Sequence, residues 1–125
     1  NTVKFVFIIV PLQGGGALIL ALLINKVTHC KKYFKVAFFI PVVMSLAVVS
    51  TLWMQIYNPE GILNTVLANL GISAQPFIYS DKQALPSIAF MSIWQGVGYH
   101  MIIFLGGLQA INPGLYEAAE MDHAS

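Results

Sequence analysis

Long hydrophobic runs separated by short polar segments dominate the chain. Apart from His100, residues 5–25, 36–59 and 83–116 contain no ionisable side chain other than tyrosine. An α-helix rises about 1.5 Å per residue, so about 20 residues cross a bilayer core of about 30 Å. The pattern therefore predicts an all-α, polytopic membrane protein with three transmembrane helices, at residues 3–24, 36–57 and 85–110.

Composition and charge support a membrane location and exclude one class of partner. Only 9% of the residues are charged and 58% are hydrophobic, whereas about a quarter of the residues of a soluble domain are charged. The basic residues are six lysines without arginine, which provide no stripe for a phosphate backbone. Lipid is therefore expected as a partner, and nucleic acid is not.

The lysines also predict the orientation. Lys26, Lys31, Lys32 and Lys35 lie in the short segment 25–35, whereas residues 58–86 contain only Lys82. Short loops rich in lysine stay in the cytoplasm. We therefore expect residues 25–35 and 111–125 to be cytoplasmic and residues 58–86 to lie outside, in a multi-pass membrane protein.

Local signals predict structure at the outer face. Asn58 as a cap, Pro59 at a first helical position and Gly71 just past the end indicate a short helix on the membrane surface. Trp53 and Tyr57 close the second span, where amphipathic rings favour the headgroup level. They are interpreted as interface anchors in preference to substrate ligands.

Small residues and one histidine mark the spans that we expect to pack closely. The run Gly14, Gly15, Gly16 predicts a helix contact near the middle of the first span. In the third span Gly96, His100 and Gly107 share one helical face. An ionisable residue there is a functional hypothesis, so His100 is expected to face other helices or a solute pathway. The alternative is a neutral histidine hydrogen-bonded between helices, and Met101 is expected to matter less.

No catalytic constellation is visible. The chain has no phosphate-binding GxxxxGK[ST] motif, no metal-ligand spacing around its single Cys30, and no second ionisable group at the membrane depth of His100. An intramembrane enzyme requires such a pair. The sequence therefore predicts a protein that is not an enzyme and that needs neither a metal nor another cofactor.

The final segment carries the most specific pattern. Asn112 and Pro113 predict the start of a short cytoplasmic helix after the third span. INPGLYEAAEMD resembles the EAA loop of integral membrane subunits of binding-protein-dependent ABC importers. The segments NTVKFVF, FFIPVVMS, YNPEGILN, SDKQALP and SIWQGVGYHMIIFLGGLQAI are similar to the carbohydrate-uptake branch, with its maltose and glycerol-phosphate type permeases.

The resemblance implies the protein's partners and a docking site. It implies a second permease subunit, two cytoplasmic ATP-binding subunits that hydrolyse the ATP, and an extracytoplasmic solute-binding protein. The implied ATPase-docking residues of the EAA loop are Glu117, Ala118, Ala119, Asp122 and His123. His123 departs from the family pattern, which has glycine six residues after the glutamate, and histidine tolerates a tight turn less easily.

Residues 1–125 are accordingly interpreted as part of a permease domain that ends within the EAA loop. The expected function is translocation of a sugar or sugar derivative, coupled to the ATPase through a cytoplasmic coupling helix. A permease for another solute, such as a peptide or a metal, is the first alternative. A small membrane scaffold protein without a transport pathway is the second.

Overall fold

The computed structural model describes residues 1–26 and 31–121, and this part of the chain is entirely helical or irregular. Its α-helices are α1 (Thr2–Lys26), α2 (Lys31–Val43), α3 (Leu46–Ile56), α4 (Ile62–Asn69), α5 (Ala84–Gln109) and α6 (Pro113–Met121), with one 3₁₀ turn at Phe77–Tyr79. Two helices, α1 and α5, are each long and apolar enough to cross a membrane. The predicted all-α membrane fold is confirmed; the inside–outside orientation stays a prediction.

The pair α1 and α5 forms the main core. Ala17, Ala21 and Ile24 of α1 are buried against Met101 and Leu105 of α5. Alanines let two helix backbones approach closely, which replaces the hydrophobic driving force that is missing between helices in lipid. Ala17 and Ala21 carry this core contact, and a Cβ atom at Gly16 would lie 3.9 Å from Val97 of α5, whereas Cβ atoms at the first two glycines of the run would meet no atom of another element within 4 Å.

The predicted second span is not one helix. Helices α2 and α3 meet at a bend of 97°, and the chain is non-helical between Val43 and Leu46. Pro41 lies near the end of α2, and sharp helix kinks occur at proline. Ser45 then starts α3, where its Oγ accepts a hydrogen bond from the Val48 N–H at 3.3 Å.

The aromatic residues at the end of α3 are core residues. Trp53 is 7% exposed and Tyr57 4% exposed, and they pack with Val49 against half-buried residues that include Trp94. The Tyr57 hydroxyl donates to the Ser87 carbonyl at 2.9 Å. The interpretation of Trp53 and Tyr57 as interface anchors is therefore not supported, because their rings are buried and join α3 to α5.

Different local structures start and end the short outer helix, α4. It starts at Ile62 after Gly61, and Asn58 instead accepts the Glu60 N–H in the preceding turn, so the predicted cap is wrong. Its end is as predicted: Gly71 has φ +75°, and the N–H groups of Gly71 and Ile72 reach back to the Ala68 and Leu67 carbonyls. This is a Schellman ending, which needs a left-handed residue.

Candidate functional site

A stripe of polar side chains on α5 lines an open cleft in the middle of the spans. The stripe follows helical spacings of three and four, so its members share one face. The cleft has a volume of ≈ 300 Å³ and lies between α5 and the end of α2. Its lining residues are Val42, Ser92, Gln95, Gly96, Tyr99 and His100.

His100 connects this stripe to α1. Its Nδ1 atom lies 3.0 Å from the side-chain amide nitrogen of Gln13 and 3.0 Å from the carbonyl oxygen of Gly96. The Tyr99 ring stands edge-on to the imidazole, with centroids 5.5 Å apart. The histidine therefore contacts another helix on one side of its ring and also borders the cleft, while its place in a solute pathway stays a prediction.

Gly96 leaves room for this contact. A Cβ atom there would collide with the amide nitrogen of Gln13 and lie 3.2 Å from its Cδ. A larger residue at this position would therefore displace the end of the Gln13 side chain from its place beside Nδ1 of His100. The structure thus brings Gly96 and His100 together, as part of one arrangement with Gln13.

Gly107 and Met101 do not have the surroundings that the sequence suggested. A Cβ atom at Gly107 would have no neighbour within 4 Å, so this glycine is apart from the site. The close crossing involves Gly98, where a Cβ atom would overlap the Phe38 carbonyl oxygen on α2. Met101 is 0% exposed and belongs to the main core. A substitution at Met101 is therefore not a suitable control for a substitution at His100.

The helix break and the polar stripe meet at one hydrogen bond. Gln95 Nε2 donates to the Met44 carbonyl at 3.3 Å, across the gap between α5 and the end of α2. A carbonyl at a helix end has no partner within its own helix. In lipid such a group needs another donor, and non-helical backbone is tolerated only inside protein or beside a cavity. Gln95 and Gln13 are the site residues that the sequence analysis missed.

The helix after α5 begins as predicted. Asn112 accepts a hydrogen bond from the Gly114 N–H at 2.9 Å, and Pro113 is the first residue of α6. Ala118 is exposed and Ala119 is half-buried. Glu117 lies in the same helix, whereas Asp122 and His123 are outside the described residues.

Metal-binding chemistry has no support in the part of the chain that the structure describes. No group of three or more histidine, cysteine, aspartate or glutamate side chains comes together in residues 1–26 and 31–121. The cleft residues instead offer hydroxyl, amide and imidazole groups, which exchange hydrogen bonds with neutral polar ligands.

Two helices long and apolar enough to cross a membrane, a broken helix beside a polar cleft and a short helix after α5 are features that membrane transport domains share. No family model matches the chain. It is 37% identical over 129 residues to the probable ABC transporter permease protein YurN of Bacillus subtilis, and this match covers 99% of the chain and 44% of YurN. It is 34% identical to the lactose transport system permease protein LacF of Rhizobium radiobacter, covering 98% and 42%.

A solved structure is similar over the whole chain. It is a bacterial alginate ABC transporter in complex with an alginate pentasaccharide-bound periplasmic protein, and the TM-score is 0.89 at 26% identity, covering 100% of this chain and 44% of that one. The chain belongs to the family of ABC transporter permease subunits. It spans less than half the length of these relatives, which are transport components and not enzymes.

Proposed function

We propose that the chain forms part of the translocation pathway of a sugar importer, with the cleft beside the α2–α3 break as a solute-contacting surface. The observation that carries this proposal is the stripe of neutral hydrogen-bonding groups at the centre of the longest apolar helix. Polar groups at that depth are costly unless they serve packing or a pathway. Hydroxyl, amide and imidazole groups match the donors and acceptors of a sugar.

The chemistry of the lining favours a neutral sugar. The residues that line the cleft carry no lysine, arginine or carboxylate, and an acidic sugar calls for a cationic partner when it leaves water. LacF is named for lactose and the similar solved structure for alginate, an acidic polysaccharide. Of these two kinds of solute, the neutral one is proposed for this chain.

The proposal is tested with the full-length permease, assembled with the transport subunits encoded beside it and reconstituted in vesicles. Uptake of labelled lactose and a panel of neutral mono- and disaccharides is compared with uptake of an alginate oligosaccharide and an oligopeptide. ATP-dependent uptake of a neutral sugar is expected. Uptake of the peptide alone contradicts the sugar assignment, and uptake of the alginate oligosaccharide alone contradicts the preference for a neutral sugar.

Coupling to ATP is proposed to pass through α6. The helix follows the α5 span after a turn at residues 110–112, and its exposed side chains include Leu115 and Met121 as well as Ala118. An exposed amphipathic helix with a small-residue patch suits a groove on a partner. Two ATP-binding subunits, a second permease and an extracytoplasmic binding protein are the proposed partners, and closure of the ATPases would swing α6 and switch access to the cleft.

A volume change in the small-residue patch tests the coupling proposal. Ala119→Leu is expected to weaken docking by about 1 to 3 kcal/mol, the scale of overpacking a close contact. Co-purification of the ATP-binding subunit and ATP-dependent uptake should both fall, while the amount of permease in the membrane stays constant. Ala74→Leu, an exposed alanine in the segment after α4, is the matched control. Wild-type association in both variants contradicts the assignment.

A further inference from the structure

The imidazole of His100 has one nitrogen held by protein and one that is not. Both hydrogen-bond contacts of the ring in the described residues are made by Nδ1, to Gln13 and to Gly96. None of the described residues hydrogen-bonds Nε2, although the residue lines the cleft and is exposed. The position of the ring is thus set from one side, by a partner on another helix.

The Gly96 contact favours a proton on Nδ1. The Gly96 carbonyl oxygen is an acceptor only, and its 3.0 Å distance calls for a proton on Nδ1. The Gln13 amide can present its oxygen to the same proton when it is turned over, because amide oxygen and nitrogen occupy equivalent positions. With Nδ1 protonated, the neutral ring has its lone pair on Nε2.

We infer that Gln13 is a positioning residue that holds Nδ1–H of His100 inward, so that Nε2 accepts a hydrogen bond from a hydroxyl group of the solute in the cleft. This rests on the proposed function, because it takes the cleft as the solute-contacting surface. Gly96 completes the arrangement, since any Cβ atom there would displace the Gln13 side chain. The ligand class is therefore a neutral polyhydroxyl compound.

The first test needs no solute. In the full-length permease in bilayers, ¹⁵N NMR of labelled histidine distinguishes the protonated from the unprotonated ring nitrogens, and the spectrum of His100→Asn identifies the His100 signals. A protonated Nδ1 is expected in the wild type. Gln13→Met, which keeps the side-chain length and removes one of the two partners of Nδ1, should shift the Nδ1 signal. The control is Leu12→Met, at an exposed neighbouring position.

The second test separates solute contact from packing. The amide oxygen of glutamine can reach the position of Nε2 and accept a hydrogen bond there, whereas the amide oxygen of asparagine reaches only the position of Nδ1. For the panel sugar that the wild type transports, His100→Gln should keep KM within about twofold, while His100→Asn should raise it about tenfold and Gln13→Met about fivefold, the scale of one lost hydrogen bond. The maximal rate should change little, because ground-state binding is what is lost.

The outcomes distinguish the two proposals. An Nε2–H tautomer in the wild type, or an unchanged spectrum in Gln13→Met, overturns the positioning role. His100→Asn transporting better than His100→Gln overturns the solute contact, because it makes the Gln13 contact the only role of the ring. A wild-type permease with the expected tautomer that transports no sugar overturns the proposed function and the hydroxyl contact, while the positioning role is supported.

Discussion

The close crossing of α2 and α5 at Gly98 gives the sharpest stability prediction. A methyl group at this position would overlap the Phe38 carbonyl oxygen and lie 2.6 Å from the Phe38 carbonyl carbon and 3.3 Å from the Phe39 nitrogen. These are backbone atoms, so no side chain can rotate away. Carbon atoms pack at about 3.5 to 4.0 Å, and Gly98→Ala therefore requires α2 to move by about 1 Å.

Two opposing effects set the change in unfolding free energy that Gly98→Ala causes. Overpacking a tight contact costs about 1 to 3 kcal/mol, while replacing glycine by alanine in a helix interior gains about 1 kcal/mol. Gly107→Ala has only the gain, because nothing lies within 4 Å of its added Cβ. Comparing the two variants cancels the propensity effect, so that Gly98→Ala should be less stable than Gly107→Ala by about 1 to 3 kcal/mol.

The assay is thermal unfolding of the full-length permease in detergent, followed by tryptophan fluorescence. For proteins of about 150 to 250 residues, a loss of 1 kcal/mol in unfolding free energy lowers Tm by about 2 to 4 °C. Gly98→Ala is expected to unfold several degrees below Gly107→Ala. Equal midpoints, or a higher midpoint for Gly98→Ala, would refute the close crossing of α2 and α5.

Two further predictions concern the outer segment and the orientation. Asn64 is buried and joins the segments on both sides of α4, donating to the Asn58 and Gln75 carbonyls and accepting the Gln75 N–H; Asn64→Ala should destabilise this segment by about 1 to 3 kcal/mol and increase its cleavage by protease, compared with Asn69→Ala. For orientation, a cysteine replacing the exposed Lys32 in a Cys30→Ser background should resist a membrane-impermeant maleimide in intact cells, whereas Lys82→Cys should react; labelling at position 32 contradicts the predicted topology.

Local chemistry made several helix ends predictable. Asn112 and Pro113 predicted the start of α6, because the asparagine side chain accepts an unpaired N–H of the first turn and proline has no N–H to be left unpaired. Gly71 predicted the end of α4, because glycine adopts the positive φ of this position without strain. Asn58 was wrongly predicted as the cap of α4, because an asparagine side chain is equally suited to a turn that precedes a helix.

The break between α2 and α3 was harder to predict. Residues 36–57 are hydrophobic and contain no charged residue, so the sequence predicts a single span there. The available signals were Pro41 and Ser45, a helix-kinking residue followed by a residue that caps the next helix. Each is tolerated inside a membrane helix, and the donor that reaches the broken segment, Gln95, comes from α5 and is not visible in residues 36–57.

The face of α5 on which a residue lies was predictable from the sequence, but the residue of another helix that lies opposite it was not. Gly96 and Gly107 do share a face, but they are separated by about 16 Å along α5 at 1.5 Å per residue. The partner Gln13 lies opposite only one of them. Pairing of Gln13 with His100 joins residues 87 positions apart, and it depends on how α1 and α5 cross, which no local pattern encodes.

The helix break and the polar stripe depend on each other, and this separates two kinds of cleft residue. Gln95 supplies the donor for the Met44 carbonyl, so Gln95→Met should lower both stability and solute affinity. Ser92 lines the same cleft, but its hydroxyl donates to the Ile88 carbonyl within its own helix at 2.9 Å. Ser92→Ala should therefore leave Tm unchanged and affect KM alone. A matched fall in Tm for both variants would mean that the whole stripe, and not one hydrogen bond, stabilises the bend between α2 and α3.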